Sequence, residues 1–251
     1  MAALFVSDLH LQPDMPHTTQ AFFDFLDTHA NRAAQLFLLG DIFEAWAGDD
    51  DLGDPYNDSV VQKIRAVAER GTQVSWMAGN RDFLAGEKFA EAAQLQLLPD
   101  PHVATIGDHR FILTHGDAYC TDDAAYMQFR SQVRSAQWQA GFLGMPLAER
   151  KKIIAQLRAG SRAAQQEKSY DIMDVNDAAI RTLFAQCDTD SMIHGHTHRP
   201  AVHSHDLGGQ TGTRYVLSDW ELDGKHQRGD WLAIDWNGKI KRFDFNGREV
   251  T

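Results

Sequence analysis

Residues 35–44 read QLFLLGDIFE. Gln35 to Leu39 is a mostly apolar run, short enough to be a buried strand, and it stops at a Gly-Asp pair. Sites in open α/β sheets gather beyond the carboxyl ends of the strands, so a carboxylate directly behind a buried strand is a candidate ligand. The pattern recurs on both sides of this stretch. Ala2 to Val6 leads into Ser7-Asp8-Leu9-His10, and Gln73 to Met77 into Ala78-Gly79-Asn80-Arg81-Asp82. Arg110 to Thr114 leads into His115-Gly116-Asp117. Another apolar strand precedes Ile193-His194-Gly195-His196-Thr197-His198.

Helical spacing fills the gaps between the early strands, around Thr18 to Ala30 and from Asn57 to Arg70, where Gly71 stops it. This alternation predicts an α/β domain. From Asp122 to Gln186 there is almost no strand signal, and residues 122–186 read as a helical insertion. Short strands then return as SMIHG, AVHSH, RYVLS, WLAIDW and IKRFDF, with Asn237-Gly238 as a hairpin turn between the last two. A chain of 251 residues, 43% hydrophobic, suits one domain over residues 1–251 with a single sizeable core.

The net charge of −11 argues against a nucleic-acid binder. Cys120 and Cys187 form no CxxC pair and are expected to be free thiols in a reducing compartment. The N-terminus lacks the basic and apolar regions of a signal peptide, and no apolar run would span a bilayer. The expectation is a cytoplasmic protein that can still sit on a membrane surface. The insertion differs electrostatically from the rest. Arg130 to Lys168 holds eight Lys or Arg against two Glu, a net +6, which leaves −17 elsewhere. Such asymmetry suggests an anionic partner, although solvated helix faces would read the same way. Phe142, Leu143, Met145, Leu147, Ile153, Ile154 and Leu157 either pack these helices together or line an apolar groove.

The strand ends supply Asp8, His10, Asp41, Asn80, His115, His196 and His198. One ion cannot take two Asp, one Asn and four His and keep a position open for water. Two ions can, with Asp41 as the bridge, and such a pair lowers the pKa of a water and clamps a phosphoryl group. Imidazole and carboxylate without thiolate suit Mn²⁺, Fe or Zn²⁺. His194 reads as a support, and His102, His109, His203 and His205 as surface or packing residues.

The motif string D-x-H, G-D-x-x-E, G-N-x-D, H-G and G-H-x-H, from Asp8 to His198, is similar to that of the calcineurin-like metallophosphoesterases. The resemblance implies a four-layer α/β/β/α sandwich around a dinuclear site. Asp8, His10, Asp41 and His198 would hold one ion, and Asp41, Asn80, His115 and His196 the other. Many members carry a histidine after G-N, where this chain has Arg81. A guanidinium is a poor acid but grips phosphate oxygens well. A leaving group that is already a phosphate needs little protonation, so Arg81 points to a phosphoanhydride; the plainer alternative is a surface ion pair with Asp82.

GDIFEAWAGDD, GNRDFL, HGDAYCTDDAAYMQFR, IMDVN and IHGHTHRPAVH resemble one branch of that family over essentially the whole chain. That branch cleaves the pyrophosphate of UDP-2,3-diacylglucosamine in lipid A biosynthesis, by water attack on the α-phosphorus. The resemblance implies two Mn²⁺ ions and a monomer on the cytoplasmic face of the inner membrane. The insertion would be a lipid-binding cap that meets the surface through Lys151 and Lys152. Asn80, Arg81 and His196 would be catalytic. These three would contact the substrate together with Asp123, Tyr126, Arg158, Ser161, Gln165 and Lys168. The rivals are another dinuclear phosphodiesterase or nucleoside diphosphate-sugar pyrophosphatase, and a non-catalytic scaffold.

Overall fold

The computed structural model describes residues 1–167 and 172–250, except the side chains of 162–167. The first part of the chain gives β1 (Ala3–Val6), α1 (Pro16–Thr28), β2 (Gln35–Leu38), α2 (Pro55–Glu69), β3 (Gln73–Met77), α3 (Glu87–Ala93) and β4 (Gln96–Leu98). A hairpin of β5 (His102–Ile106) and β6 (His109–Thr114) follows. Four helices come next: α4 (Ala124–Val133), α5 (Ala136–Leu143), α6 (Leu147–Glu167) and α7 (Asp177–Cys187). The end of the chain is β7 (Ser191–His194), β8 (Ala201–Asp206), β9 (Thr211–Val216), β10 (Asp230–Ile234), β11 (Ile240–Asp244) and β12 (Glu249–Val250).

Seven strands form one sheet in the order β12-β11-β10-β1-β2-β3-β4, and five form a second in the order β5-β6-β7-β9-β8. β1 to β4 run parallel, as do β6, β7 and β9. The parallel strands are buried on both faces, which is why they read as apolar runs without alternation. The two-residue period sorts their side chains. Leu4, Val6, Leu36 and Leu38 pack in the same core as Phe22, Phe25 and Leu26 of α1 and the apolar residues of α2 and α3. Phe5 and Phe37 point the other way and stack at 5.0 Å, sharing an inter-sheet core with Phe111, Leu113 and Ile193. On the outer face of the second sheet, Ile112 and Met192 pack against Ile180, Leu183 and Phe184 of α7. The layers are therefore α/β/β/α.

This layering divides the helical stretch expected over residues 122–186. α7 closes the outer face of the second sheet and belongs to the sandwich. α4, α5 and α6 stand over the strand ends. Phe142 of α5 joins the first core, with Ile153 and Ile154 of α6 packed against it.

Candidate active site

The strand-end residues converge. Asp8 is fully buried; its Oδ2 accepts from Ser7 Oγ at 2.6 Å and from the His196 amide at 2.8 Å. Its Oδ1 faces His198 Nε2 at 3.3 Å, and His10 Nε2 lies 3.3 Å from that same nitrogen. Asp41 Oδ1 accepts from the Arg81 amide at 2.7 Å and lies 3.7 Å from His115 Nε2. His115 Nδ1 donates to the Leu39 carbonyl at 2.9 Å, which leaves Nε2 bare and 3.0 Å from Asn80 Oδ1. His196 Nδ1 lies 2.8 Å from the same oxygen. With the amide turned over, Asn80 would donate to both nitrogens. With both rings neutral and these two nitrogens bare, the three groups present lone pairs to one point, as the ligands of a cation do.

The carboxylates around these rings favour positive charge, whether a proton or a metal ion supplies it. Burial pulls the His115 imidazole down, but Asp41, Asp8 and Asp117 outweigh it and push it up to about 9. Burial and the neighbouring His115 pull His196 down to about 4. Burial opposes ionisation of Asp8, yet His198, His115 and His10 hold it well below the usual carboxylate range. Ligand-capable atoms of Asp8, His10 and His198 lie within 4.8 Å of one another, as do those of Asp8, Asp41 and His115. The member common to both groups is Asp8, with the expected bridge Asp41 beside it in the second, and so wide a set fits two neighbouring ions better than one. The backbone also bears the mark of a site. Asp8, His10, Asp41, His196 and His198 have φ of 54°, 49°, 54°, 64° and 55°. Left-handed conformations in non-glycine residues cost about 1–3 kcal/mol each and cluster where surroundings enforce them for function.

Further carboxylates, two inside the motifs and Asp219 beyond them, surround these ligands. Glu44 sits 3.1 Å from His10 Nδ1, and Asp219, gripped by Arg228, sits 3.5 Å from His198 Nδ1. Asp82 is fully buried and accepts the amides of Ile42 at 2.8 Å and Gly79 at 2.9 Å, tying the two neighbouring loops together. It is therefore no surface partner of Arg81, whose Nε instead faces Asp41 Oδ2 at 3.8 Å. Burial and the nearby Asp41 push Asp82 up to about 6. Gly195 lies so close to Asp8 that a Cβ there would meet Asp8 Oδ2 and Ser7 Oγ at 2.1 Å. His194 ligates nothing here; it is buried and hydrogen-bonds the Gly195 carbonyl from Nδ1 at 2.8 Å. Of the two roles expected for His205, surface or packing, the structure gives it packing: it is buried and paired, to Asp177 at 2.8 Å and to Arg214 at 3.2 Å.

The helices over the site are locked to it by Asp117. This buried carboxylate accepts from Tyr126 Oη at 2.7 Å and Arg130 Nε at 2.8 Å, both on α4. Arg134, at the C-cap of the same helix, donates to the Gly79 carbonyl at 2.8 Å. So placed, Tyr126 stacks on His196 with ring centroids 5.9 Å apart. Asp123 caps α4 by accepting the Tyr126 amide at 3.0 Å. On α6, Arg158 donates to Glu44, and its Nε and one terminal nitrogen are buried without a hydrogen bond. Asn80, Arg81, Tyr126, Arg158 and Ser161 line one cavity of about 400 Å³, whose other walls are largely apolar. Lys168 and the Gln165 side chain lie outside the described residues. A larger cavity of about 660 Å³ opens beside α7 and the β5–β6 turn, and none of the expected site residues line it.

Known proteins resemble the chain in sequence and in fold. The chain is 48% identical to the UDP-2,3-diacylglucosamine hydrolase of Aromatoleum aromaticum over 92% of its own length and 94% of that protein's. It is 48% identical to the protein of that name from Bordetella parapertussis, over 95% and 93% of the two chains. Among solved structures, a dimetal phosphatase from Danio rerio superposes with a TM-score of 0.50 at 12% identity, covering 99% of this chain and 97% of that one, a likeness of fold alone. The family model of the calcineurin-like phosphoesterases matches residues 1–200, the stretch that carries all seven convergent strand-end residues, and the chain belongs to that family.

Proposed function

We propose that the chain hydrolyses the pyrophosphate of UDP-2,3-diacylglucosamine by water attack on the α-phosphorus, giving UMP and 2,3-diacylglucosamine 1-phosphate, a step of lipid A biosynthesis. The observation that carries this reading is the largely apolar cavity beneath α4–α6, which opens onto Asn80 and Arg81 beside the convergent ligand set. A ligand with apolar chains at one end and phosphates at the other fits such a space. The names of the relatives support the same substrate.

Two ions, proposed to be Mn²⁺, would be held by Asp8, His10, Asp41 and His198 and by Asp41, Asn80, His115 and His196. When bound they would activate water and neutralise phosphoryl charge. The remaining work falls to side chains. The Arg81 guanidinium grips phosphate oxygens, and its permanent charge suits a leaving group that needs no proton. Asn80 borders the same space, and His196 lies next to it, 2.8 Å from the Asn80 side-chain oxygen and stacked on Tyr126. Arg158 has buried N–H groups free of hydrogen bonds, suited to a second phosphate oxygen. Asp123 and Ser161 are proposed to complete the polar end, together with Gln165 and Lys168. The helices α4–α6 act as the lipid-binding cap of a single domain. No helix among the described residues is long and apolar enough to cross a membrane. The proposed location is the cytoplasmic face of the inner membrane, held peripherally, as a monomer with no nucleic-acid partner.

The test is turnover in ¹⁸O-labelled water with acylated and unacylated UDP-glucosamine. Label is expected in UMP, and loss of both chains is expected to cut kcat/KM by about 100-fold or more, since each buried methylene is worth about 0.8 kcal/mol. Label in the sugar phosphate would overturn α-attack. Equal rates on the two substrates would overturn the cap and favour a general nucleoside diphosphate-sugar pyrophosphatase.

A further inference from the structure

A buried guanidinium lies behind the His196–His198 loop. Arg214, on β9, is 6% exposed, and among the described residues no ion pair to a carboxylate neutralises it. Instead it reaches two imidazoles. Its Nη1 lies 3.0 Å from His194 Nε2, and its Nε donates to His205 Nε2 at 3.2 Å. A guanidinium has N–H donors and no acceptor, and it stays charged. Both imidazole Nε2 atoms must therefore present lone pairs, and both rings must carry their proton on Nδ1. In His205 that proton goes to Asp177 Oδ1, 2.8 Å away. In His194 it goes to the Gly195 carbonyl at 2.8 Å. The Thr197 amide donates to the same carbonyl at 2.7 Å, so Gly195 is gripped from both sides at the base of the turn. That turn holds His196 and His198 at φ of 64° and 55°.

We infer that Arg214 is a positioning residue for the metal-binding loop: by fixing the Nδ1–H tautomer of His194 it locks the Gly195 carbonyl, and through it the two ligands His196 and His198. Asp177 and His205 act behind Arg214, orienting its guanidinium from the other side. The inference rests on the reading of His196 and His198 as metal ligands. It adds a residue that the motifs do not reach, since Arg214 lies sixteen positions beyond His198 and its strand pairs with β7 at His194↔Val216.

The test has two arms. In the metal-free wild-type chain labelled with ¹⁵N-histidine, the His194 signals should show Nδ1 protonated and Nε2 bare. The opposite tautomer overturns the inference without any variant. In the second arm Mn²⁺ affinity is measured for wild type, Arg214→Met, His194→Asn and the double variant. Met keeps the bulk of the side chain but cannot donate, and Asn keeps an N–H near the Nδ1 position without needing Arg214. Arg214→Met should weaken Mn²⁺ binding about 10- to 100-fold, the usual effect of losing a group that orients a ligand. The same change in the His194→Asn background should cost less than about 3-fold. Equal losses in both backgrounds would mark Arg214 as a general packing residue and overturn the inference. A wild-type chain that binds no Mn²⁺ while showing the expected tautomer would overturn the metal reading instead.

Discussion

Gly195 illustrates how tightly the site is built at the scale of single residues. A Cβ at this position would sit 2.1 Å from Asp8 Oδ2 and Ser7 Oγ, and neither can retreat. Asp8 is held by Ser7 and the His196 amide, in a loop that is itself left-handed. Gly195→Ala is expected to push the His196–His198 loop off Asp8, lowering stability by about 1–3 kcal/mol and affinity for a divalent metal by about 10-fold or more. Urea melts and metal analysis check this, and a variant with wild-type metal content would show that the loop can yield. The seven convergent residues were legible in the sequence because each follows an apolar run. Their holders were not. Glu44, Asp82 and Asp117 lie inside the motifs, yet nothing in the string says which carboxylate ligates and which pins an amide or a helix. Asp219 and Arg214 lie beyond the last motif, and only sheet pairing carries them back to the site.

Among the elements, α1 shows how a helix end can depend on residues far along the chain. Its N-cap position is Met15, whose side chain makes no capping hydrogen bond, although Pro16 suits the first turn. The cap comes from Asp223, which accepts the amides of His17 and Thr18 at 2.9 Å each. Burial alone would raise Asp223, but these hydrogen bonds prevail and bring it down to about 2. A carboxylate lowered in the folded state contributes stability that is full above its unfolded value near 4 and is lost as pH falls toward 2. Asp223→Ala is therefore expected to cost about 0.5–2 kcal/mol at pH 7. The gap to wild type should shrink as pH drops below 4. Urea melts at pH 7 and at pH 3 check the sign, and a gap that widens at pH 3 would contradict it. Such a cap is invisible to sequence reading because its partner is 205 positions away. The short elements α3, β4 and β12 escaped for a different reason: two to seven residues give no usable period. α7 has a clear helical pattern, but only its packing on Ile112 and Met192 tells a layer of the sandwich from a part of the cap.

Across the whole molecule the charge is divided. The stretch from Arg130 to Lys168 carries +6 on a chain whose total is −11. The structure narrows which basic residues are available to a membrane. Lys151 is engaged by Asp51 at 2.5 Å and Asp54 at 3.3 Å, and the buried Arg150 pairs with the exposed Asp50, so both fasten α6 to the sandwich. Lys152 is exposed. Phe129, Leu143, Met145 and Leu157 on and beside the cap helices are also exposed, at 38–41%. Under the proposed membrane association, apolar contacts and basic charge share the attraction, each basic residue near an anionic surface contributing about 1 kcal/mol. Binding to vesicles containing phosphatidylglycerol is expected at low salt. It should weaken strongly above about 0.15 M, where the Debye length falls to about 8 Å. Leu143→Ser with Met145→Ser should lower the pelleted fraction at low salt without altering turnover of a soluble short-chain substrate, whereas Lys151→Ala should act chiefly on stability. A wild-type protein that stays in the supernatant with such vesicles at low salt would remove the membrane surface from the proposal and leave the hydrolysis untouched.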